Sequence, residues 1–425
     1  MRILVAGGGF AGLEIAHRLG KKLKRTEHQV TVVNAVNYLT YQPFLPEAAS
    51  GQLEPRHVVV PLRQVLKRKA RVVVGTIEQI DHEAKNVHVS DAAGDPLTLE
   101  YDILVITAGA IARGPDNKAL AARTSLVKTV GDSMMLRNLL FARLEAASAE
   151  DDEERRRALL TFVFVGGGYT GVEVLAEMED LARVAVKKFY PELQALGMRW
   201  IVVEHAGGVI PELGDKMSAY VERLLEKRGI DVRLNTAVNS GDAENVELSD
   251  GETIRAATVV WATGVRACPV VSSSGFPVDE KGRVKTDVQL RVLGEDSTPV
   301  PNVWACGDAA AVPDLVTGKL CAPTAQYAIR QARRLAKNVQ GSLENKDPTA
   351  FKYRNMGLVV SLGRFRGAAI VLGIRLRGLP ARLVARSYHH VAMPTFARKS
   401  RIAMDWFVAL FFPRDITSLG GTTDN

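Results

Sequence analysis

The sequence is poor in cysteine, with Cys268, Cys306 and Cys321 the only three in 425 residues. Three scattered thiols exclude a disulfide framework, and no C-x-x-C or His/Cys cluster has metal-ligand spacing, so reduced thiols and no metal are expected. The adjacent His389 and His390 point different ways on a helix or a strand and are not read as a ligand pair. No apolar run reaches the roughly 20 residues of a transmembrane helix. The chain opens "MRILVAGGG", an apolar strand from residue 2 that leaves no room for a secretory signal, so the protein is expected to act where it is made. Low-complexity tracts are also missing.

What is present is one phrase written twice. "ILVAGGGFAGLE" (3–14) and "FVFVGGGYTGVE" (162–173) each put an apolar run before G-x-G-x-x-G and a helix-like stretch after it. In that context Gly7 and Gly166 turn the chain tightly. Gly9 and Gly168 let backbone N–H groups approach a pyrophosphate, and Gly12 and Gly171 let helix pack close to strand. Two copies in strand–turn–helix context predict two dinucleotide-binding units, and 425 residues suffice for two or three domains.

The end of each second strand separates the two sites. "MRWIVVEHAGG" puts Glu204 there, where a carboxylate accepts from ribose hydroxyls and repels a 2′-phosphate, which predicts NADH over NADPH. "HQVTVVNAVNY" puts the uncharged Asn34 at the matching place. "YDILVITAGA" (101–110) and "ATVVWATGVRA" (257–267) close the two units in small residues. The charged stretch "AASAEDDEERRRALL" reads as a solvated helix or linker, and "VPNVWACGDAAAVPD" adds Gly307 and Asp308.

The order of these parts resembles the two-dinucleotide-domain flavoproteins, in which the first site holds FAD and the second the nicotinamide cofactor. The resemblance implies an α/β fold of two Rossmann-like units, an FAD domain in two parts (1–110 and 266–340) with an inserted NADH domain and its linker (111–265). A C-terminal membrane-docking region (341–425) follows. The disulfide reductases of that family carry a C-x-x-x-x-C pair after the first glycine motif, which this chain lacks. "YQPFLPEAASGQLEP" (41–55), "GGGYTGVEVLAEM" (166–178) and "APTAQYAIRQ" (322–331) are similar to signatures of type II NADH dehydrogenases, the single-subunit, non-proton-pumping NADH:quinone oxidoreductases.

Carried over residue by residue, the resemblance assigns non-covalent FAD to Gly7, Gly9, Phe10, Ala11, Gly12, Asn34, Gln42, Pro43, Ala108, Gly109, Gly307, Asp308 and Ala325. It assigns NADH to Gly166, Gly168, Tyr169, Thr170, Gly171, Glu173, Glu204, Thr263 and Gly264. Gln326 is placed at the quinone–flavin boundary, and Glu173 between the nicotinamide and quinone sites, where it takes part in coupling; a bland role for Glu173 beside the helix dipole coexists with this one. The family's second glutamine, one helical turn after Gln326, is Arg330 here, so Arg330 either touches the quinone or pairs with a carboxylate. The implied reaction passes a hydride from NADH to FAD and then two electrons to a membrane quinone, and needs neither a nucleophile nor a metal.

A lipid-soluble acceptor requires access to a bilayer. From Phe351 to Asn425 there are 12 Lys+Arg and 3 Asp+Glu, a net of +9, while the whole chain is only +8. Charge concentrated in this way suits an anionic membrane surface, and no nucleic-acid motif accompanies it. "RKSRIAMDWFVALFFPRD" (398–415), with Trp406, Phe407, Phe411 and Phe412 in an aromatic and apolar middle flanked by Arg398, Lys399, Arg401 and Arg414, is read as an interfacial helix. A helix packed on the core is the alternative, and "AAIVLGIRLRGLP" (368–380) stands as a second contact or a strand and turn. The expectation is a peripheral, monotopic membrane protein on the cytoplasmic side, with a homodimer left open. Two other readings stand beside it, a soluble NADH-dependent ferredoxin or rubredoxin reductase and an NADH-binding redox sensor.

Overall fold

The computed structural model describes residues 1–353 and 357–418, so the last residues of the expected docking region, 419–425, lie outside the described part. The chain divides into two compact units, one of residues 1–40, 60–111 and 265–355 and one of residues 41–59, 112–264 and 356–425.

The first unit is built on an eight-stranded sheet. Its central five strands are parallel and run, in spatial order, Pro299–Ala305, Ile103–Ile106, Arg2–Ala6, Gln29–Asn34 and Arg71–Asp81. Ile103–Ile106 is buried at every position, which is why it reads as an unbroken apolar run rather than an alternation. The strands Asn86–Asp91 and Pro96–Glu100 extend one edge as an antiparallel meander, and Arg291–Leu293 closes the other edge antiparallel. The helices Phe10–Lys22 and Ala325–Leu343 pack on each other in this unit.

The second unit has a five-stranded, all-parallel sheet in the order Thr124–Leu126, Thr258–Trp261, Thr161–Val165, Arg199–Val203 and Ile230–Arg233. Thr161–Val165 is wholly buried, and the helix Tyr169–Phe189 that follows it buries one long face, including Val172, Leu175 and Met178. Most of the stretch 146–160, expected to be a solvated helix or linker, is helical: it takes in the end of the helix Val130–Ala149, where Ala147 is buried, and the helix Glu153–Leu159, which buries none, before the buried Leu160. A three-stranded antiparallel sheet, Gly357–Ser361, Gly367–Val371 and Ile374–Arg377, leads into the helices Gly378–Ala392 and Phe396–Phe411.

The first sheet draws strands from both sides of the second unit in sequence. The boundaries differ from the expected ones in two places. Residues 41–59 cluster with the second unit rather than with 1–40. The C-terminal region is part of that same unit from residue 356 on, while 341–353 remain with the first, as the end of the helix Ala325–Leu343 and the segment after it.

Candidate active site

The first glycine turn follows from sterics. Gly7 sits at φ +114°, and a Cβ there would fall 2.3 Å from the Thr107 carbonyl oxygen. A Cβ on Gly12 would fall 1.8 Å from the Gly7 carbonyl oxygen. Gly9 differs, since no protein atom lies within 4 Å of its would-be Cβ. The helix Phe10–Lys22 starts there with no side-chain cap and no acidic residue in its first turn, so the positive end of its dipole suits an anion. The second unit repeats the arrangement. Gly166 has φ +108°, a Cβ on Gly171 would fall 2.0 Å from the Gly166 carbonyl oxygen, and Gly168 is open. The helix Tyr169–Phe189 is likewise uncapped at its start. Each cradle fits a dinucleotide pyrophosphate.

Both strand-end residues serve their own turn as well. Asn34 Oδ1 accepts from Gly8 N at 2.8 Å, and its Nδ2 donates to the Val36 carbonyl at 2.8 Å. Glu204 accepts from Gly167 N through one oxygen and from Ala206 N at 2.7 Å through the other. The two frames match in the bond from the turn N–H to the strand-end side chain and differ in the second, which Asn34 donates to a carbonyl and Glu204 accepts from an N–H, and in charge.

Elsewhere in the first unit, Ala108 and Gly109 follow the strand Ile103–Ile106, with Gly109 at φ +71° and nothing within 4 Å of its would-be Cβ. Gly307 and Asp308 form a short 3-10 turn, and Gly307 N donates to Gln331 Oε1 at 2.8 Å. Gln331, 1% exposed, and Thr107, whose hydroxyl donates to the Gly7 carbonyl at 2.9 Å, hold these turns; both fall within quoted motifs, but the sequence assigned neither a role. Ala325, Gln326 and Arg330 lie on the helix Ala325–Leu343, capped by Thr324. Among the described residues Arg330 meets no carboxylate: its guanidinium stacks 4.9 Å from the Tyr353 ring centre, and the Tyr353 hydroxyl donates to Gln326 Oε1 at 3.3 Å. Cys306 and Cys321 are both buried, which raises their thiols, Cys321 to about 11, so neither offers a thiolate at neutral pH.

Gln42 and Pro43, assigned to flavin, stand in the second unit at the start of the 3-10 turn Gln42–Phe44. The short helix Leu45–Ala49 after it carries Glu47 into a buried charge cluster that sequence reasoning missed. Arg382, 1% exposed, reaches Glu47 Oε1 and Glu177 Oε1, each at 3.0 Å. Glu177, fully buried, also accepts from Ser361 Oγ at 3.0 Å, Ser50 Oγ at 3.3 Å, Arg414 Nη2 at 3.3 Å and Gln52 Nε2. Glu47 Oε2 accepts from Trp406 Nε1 at 2.7 Å and Arg386 Nη2 at 3.2 Å. Burial pushes Glu47 up, but Arg382 and Arg386 more than offset it and hold the carboxyl below the usual carboxylate range.

Glu173 lies one turn before Glu177 on the helix Tyr169–Phe189, past the first turn, so the dipole role is not the main one. Its Oε1 accepts from Ser361 N at 2.7 Å. Burial, with the charges of Glu177 and Glu47 adding to it, pushes its carboxyl up to about 8 against the opposing pull of Ser361 N–H and Arg382. The shift favours the protonated carboxyl near neutral pH.

A model of the pyridine nucleotide-disulphide oxidoreductase family matches residues 1–332. A type II NADH:quinone oxidoreductase of Mycobacterium tuberculosis is 30% identical, over 97% of this chain and 89% of its own. The chain belongs to the type II NADH:quinone oxidoreductases. Among solved structures, this type II oxidoreductase is similar to the NDH2 of Plasmodium falciparum in complex with NADH, with a TM-score of 0.89, 19% identity and coverage of 98% and 99% of the two chains. A sulfide:quinone oxidoreductase of Aquifex aeolicus shares the fold at a TM-score of 0.72 and 17% identity, covering 97% and 95%.

Proposed function

We propose that the protein is an FAD-dependent enzyme that oxidises NADH and reduces a membrane quinone without pumping protons. The observation that carries this reading is the pair of matched glycine cradles, one ending in neutral Asn34 and one in anionic Glu204, in a chain of this family. FAD, when bound at Gly7, Gly9, Gly12, Gly109 and Asp308, supplies a two-electron carrier between a hydride donor and a quinone. The second cradle, with Tyr169, Thr170, Thr263 and Gly264 beside its glycines, orients NADH. Glu204 turns away the 2′-phosphate of NADPH. Reducing a quinone to a quinol takes two electrons and two protons, and hydride brings both electrons but only one proton. Glu173, its protonated form favoured near neutral pH, is the side chain that holds a second one. Gln326, with Arg330 and Tyr353 around it, offers the amide for the quinone carbonyl.

In liposomes containing a quinone, the purified protein is expected to consume NADH and form quinol one for one, with no proton gradient. NADH oxidation that leaves the quinone unreduced would refute the reading. Glu204→Gln keeps an acceptor for Gly167 N–H but removes the charge, and the preference for NADH over NADPH in kcat/KM is expected to fall by at least about tenfold.

The quinone's solvent calls for a docking surface, and the C-terminal part of the second unit supports one. Among the described residues no helix is long and apolar enough to cross a membrane. The helix Phe396–Phe411 turns Ile402, Asp405 and Trp406 inward, Asp405 to His57 Nδ1 at 2.6 Å, so Trp406 is an anchor and not part of the apolar outer side. Phe396, Met404, Phe407 and Phe411 are exposed, Phe396 at 84%, as are Leu383 and Val391 of the preceding helix and the basic Arg375, Arg377 and Arg401. Arg382, Arg386 and Arg414 answer buried carboxylates instead, so the patch is less cationic than the tail composition implies. Replacing Phe396, Phe407 and Phe411 together by Ser is expected to weaken co-sedimentation with anionic lipid vesicles by about 100-fold, with the remainder salt-sensitive. Unchanged sedimentation would point to another occupant, such as a second copy of the chain.

A further inference from the structure

We infer that Arg382 and Glu177 are positioning residues for Glu173, fixing where its carboxyl sits and the charge that surrounds it. The inference deepens the reading just given and rests on the role of Glu173 in it. The geometry is a short relay of contacts. Glu173 Oε1 takes the backbone N–H of Ser361 at 2.7 Å. The hydroxyl of the same serine donates to Glu177 Oε1 at 3.0 Å and accepts from Arg382 Nη1, so the serine is held from both sides and its N–H stays aimed at Glu173. Arg382 is in turn pinned between Glu47 and Glu177 at 3.0 Å to each.

The groups that face Glu173 come from four elements. Glu177 and Tyr169 share its helix, Glu47 comes from Leu45–Ala49, Arg382 from Gly378–Ala392, and Ser361 ends the strand Gly357–Ser361. Two carboxylates and burial favour the protonated form of Glu173, while one guanidinium and one N–H favour the ionised form. Removing an anion from this set must lower the pH at which Glu173 loses its proton, and weakening the cation must raise it. None of these groups needs to touch a substrate, which separates positioning from catalysis.

The test is the pH profile of quinone-driven reoxidation of the NADH-reduced holoenzyme, measured by stopped flow from pH 6 to 10 on protein whose flavin content and circular dichroism match the unsubstituted form. The unsubstituted enzyme is expected to show a limb near pH 8 that Glu173→Gln abolishes. Glu177→Gln, of the same shape, is expected to move the limb down by about 0.5 to 1 pH unit, and Arg382→Lys to move it up. Glu47→Gln guards against a folding defect at position 177 and is expected to move the limb in the same direction as Glu177→Gln. A limb lost in Glu173→Gln but unmoved in Glu177→Gln, Glu47→Gln and Arg382→Lys overturns the inference alone, as does a fall in rate without a shift. A limb that survives in Glu173→Gln belongs to another group and overturns the role of Glu173 itself.

Discussion

Gly9→Ala and Gly12→Ala are expected to lose flavin for different reasons, and the contrast measures what the first cradle is for. At Gly9 the added Cβ meets no protein atom within 4 Å, so the fold should be unaffected and the unfolding midpoint unchanged. The methyl group stands where a pyrophosphate must approach the backbone, and the dissociation constant for FAD should rise by about 100-fold. At Gly12 the Cβ would lie 1.8 Å from the Gly7 carbonyl oxygen, a backbone atom with no rotamer to escape into. The helix Phe10–Lys22 must then move off the strand Arg2–Ala6, so both stability and flavin content should fall. Spectrophotometric flavin-to-protein ratios and urea unfolding of both variants check the pair. Equal loss of stability in the two would mean that Gly9 is a packing residue.

Arg382→Met is expected to be the most damaging substitution in the second unit. It leaves Glu47 and Glu177 buried without their shared guanidinium, a situation that costs about 3–5 kcal/mol. The cost belongs to two buried carboxylates left with one guanidinium fewer, Glu47 keeping Arg386 and Glu177 keeping Arg414, and not to a large net gain from the cluster, so adding Glu47→Gln and Glu177→Gln should restore much of it. The sign of the pH dependence follows. In the unsubstituted protein Glu47 is held below the usual carboxylate range, so its contribution is present above that range and is lost as pH falls through its folded value. In Arg382→Met the largest pull opposing burial at Glu47 is gone, so its carboxyl lies higher than in the unsubstituted protein and the variant recovers relative to it as pH falls. Urea midpoints of the two proteins should therefore converge toward pH 5. A constant gap across that window would show that Arg382 acts by packing alone.

What could be seen in the sequence was local chemistry. Gly7, Gly12, Gly166 and Gly171 are forced by contacts within about a hundred residues of the same unit, and a strand, a turn and a helix in succession are enough to expose them. Glu204 and Asn34 were legible for the same reason, being tied to a neighbouring strand end. The buried cluster was not. Glu47, Glu177 and Arg382 are separated by 130 and 205 residues, and only the fold makes them neighbours. Read along the helix, Glu177 looks like a solvated charge, and Arg382 was counted among the cations of a basic tail. The side of the helix that Trp406 takes was not legible either, because aromatic content marks an apolar stretch but not which face meets the body; its indole N–H reaches Glu47, 359 positions away. The same limit applies to Gln331 and Thr107, polar residues that hold a turn contributed by another part of the chain.

The central claim is that one chain carries electrons from NADH to a quinone through a bound flavin. Anaerobic stopped-flow spectrophotometry of the purified holoenzyme tests it most directly, with NADH mixed first and a short-chain quinone second. Bleaching of the flavin band by NADH, followed by its return with quinone within the turnover time, is the predicted result. Bleaching that quinone does not reverse would contradict the claim and leave a protein acceptor or a sensing role in its place.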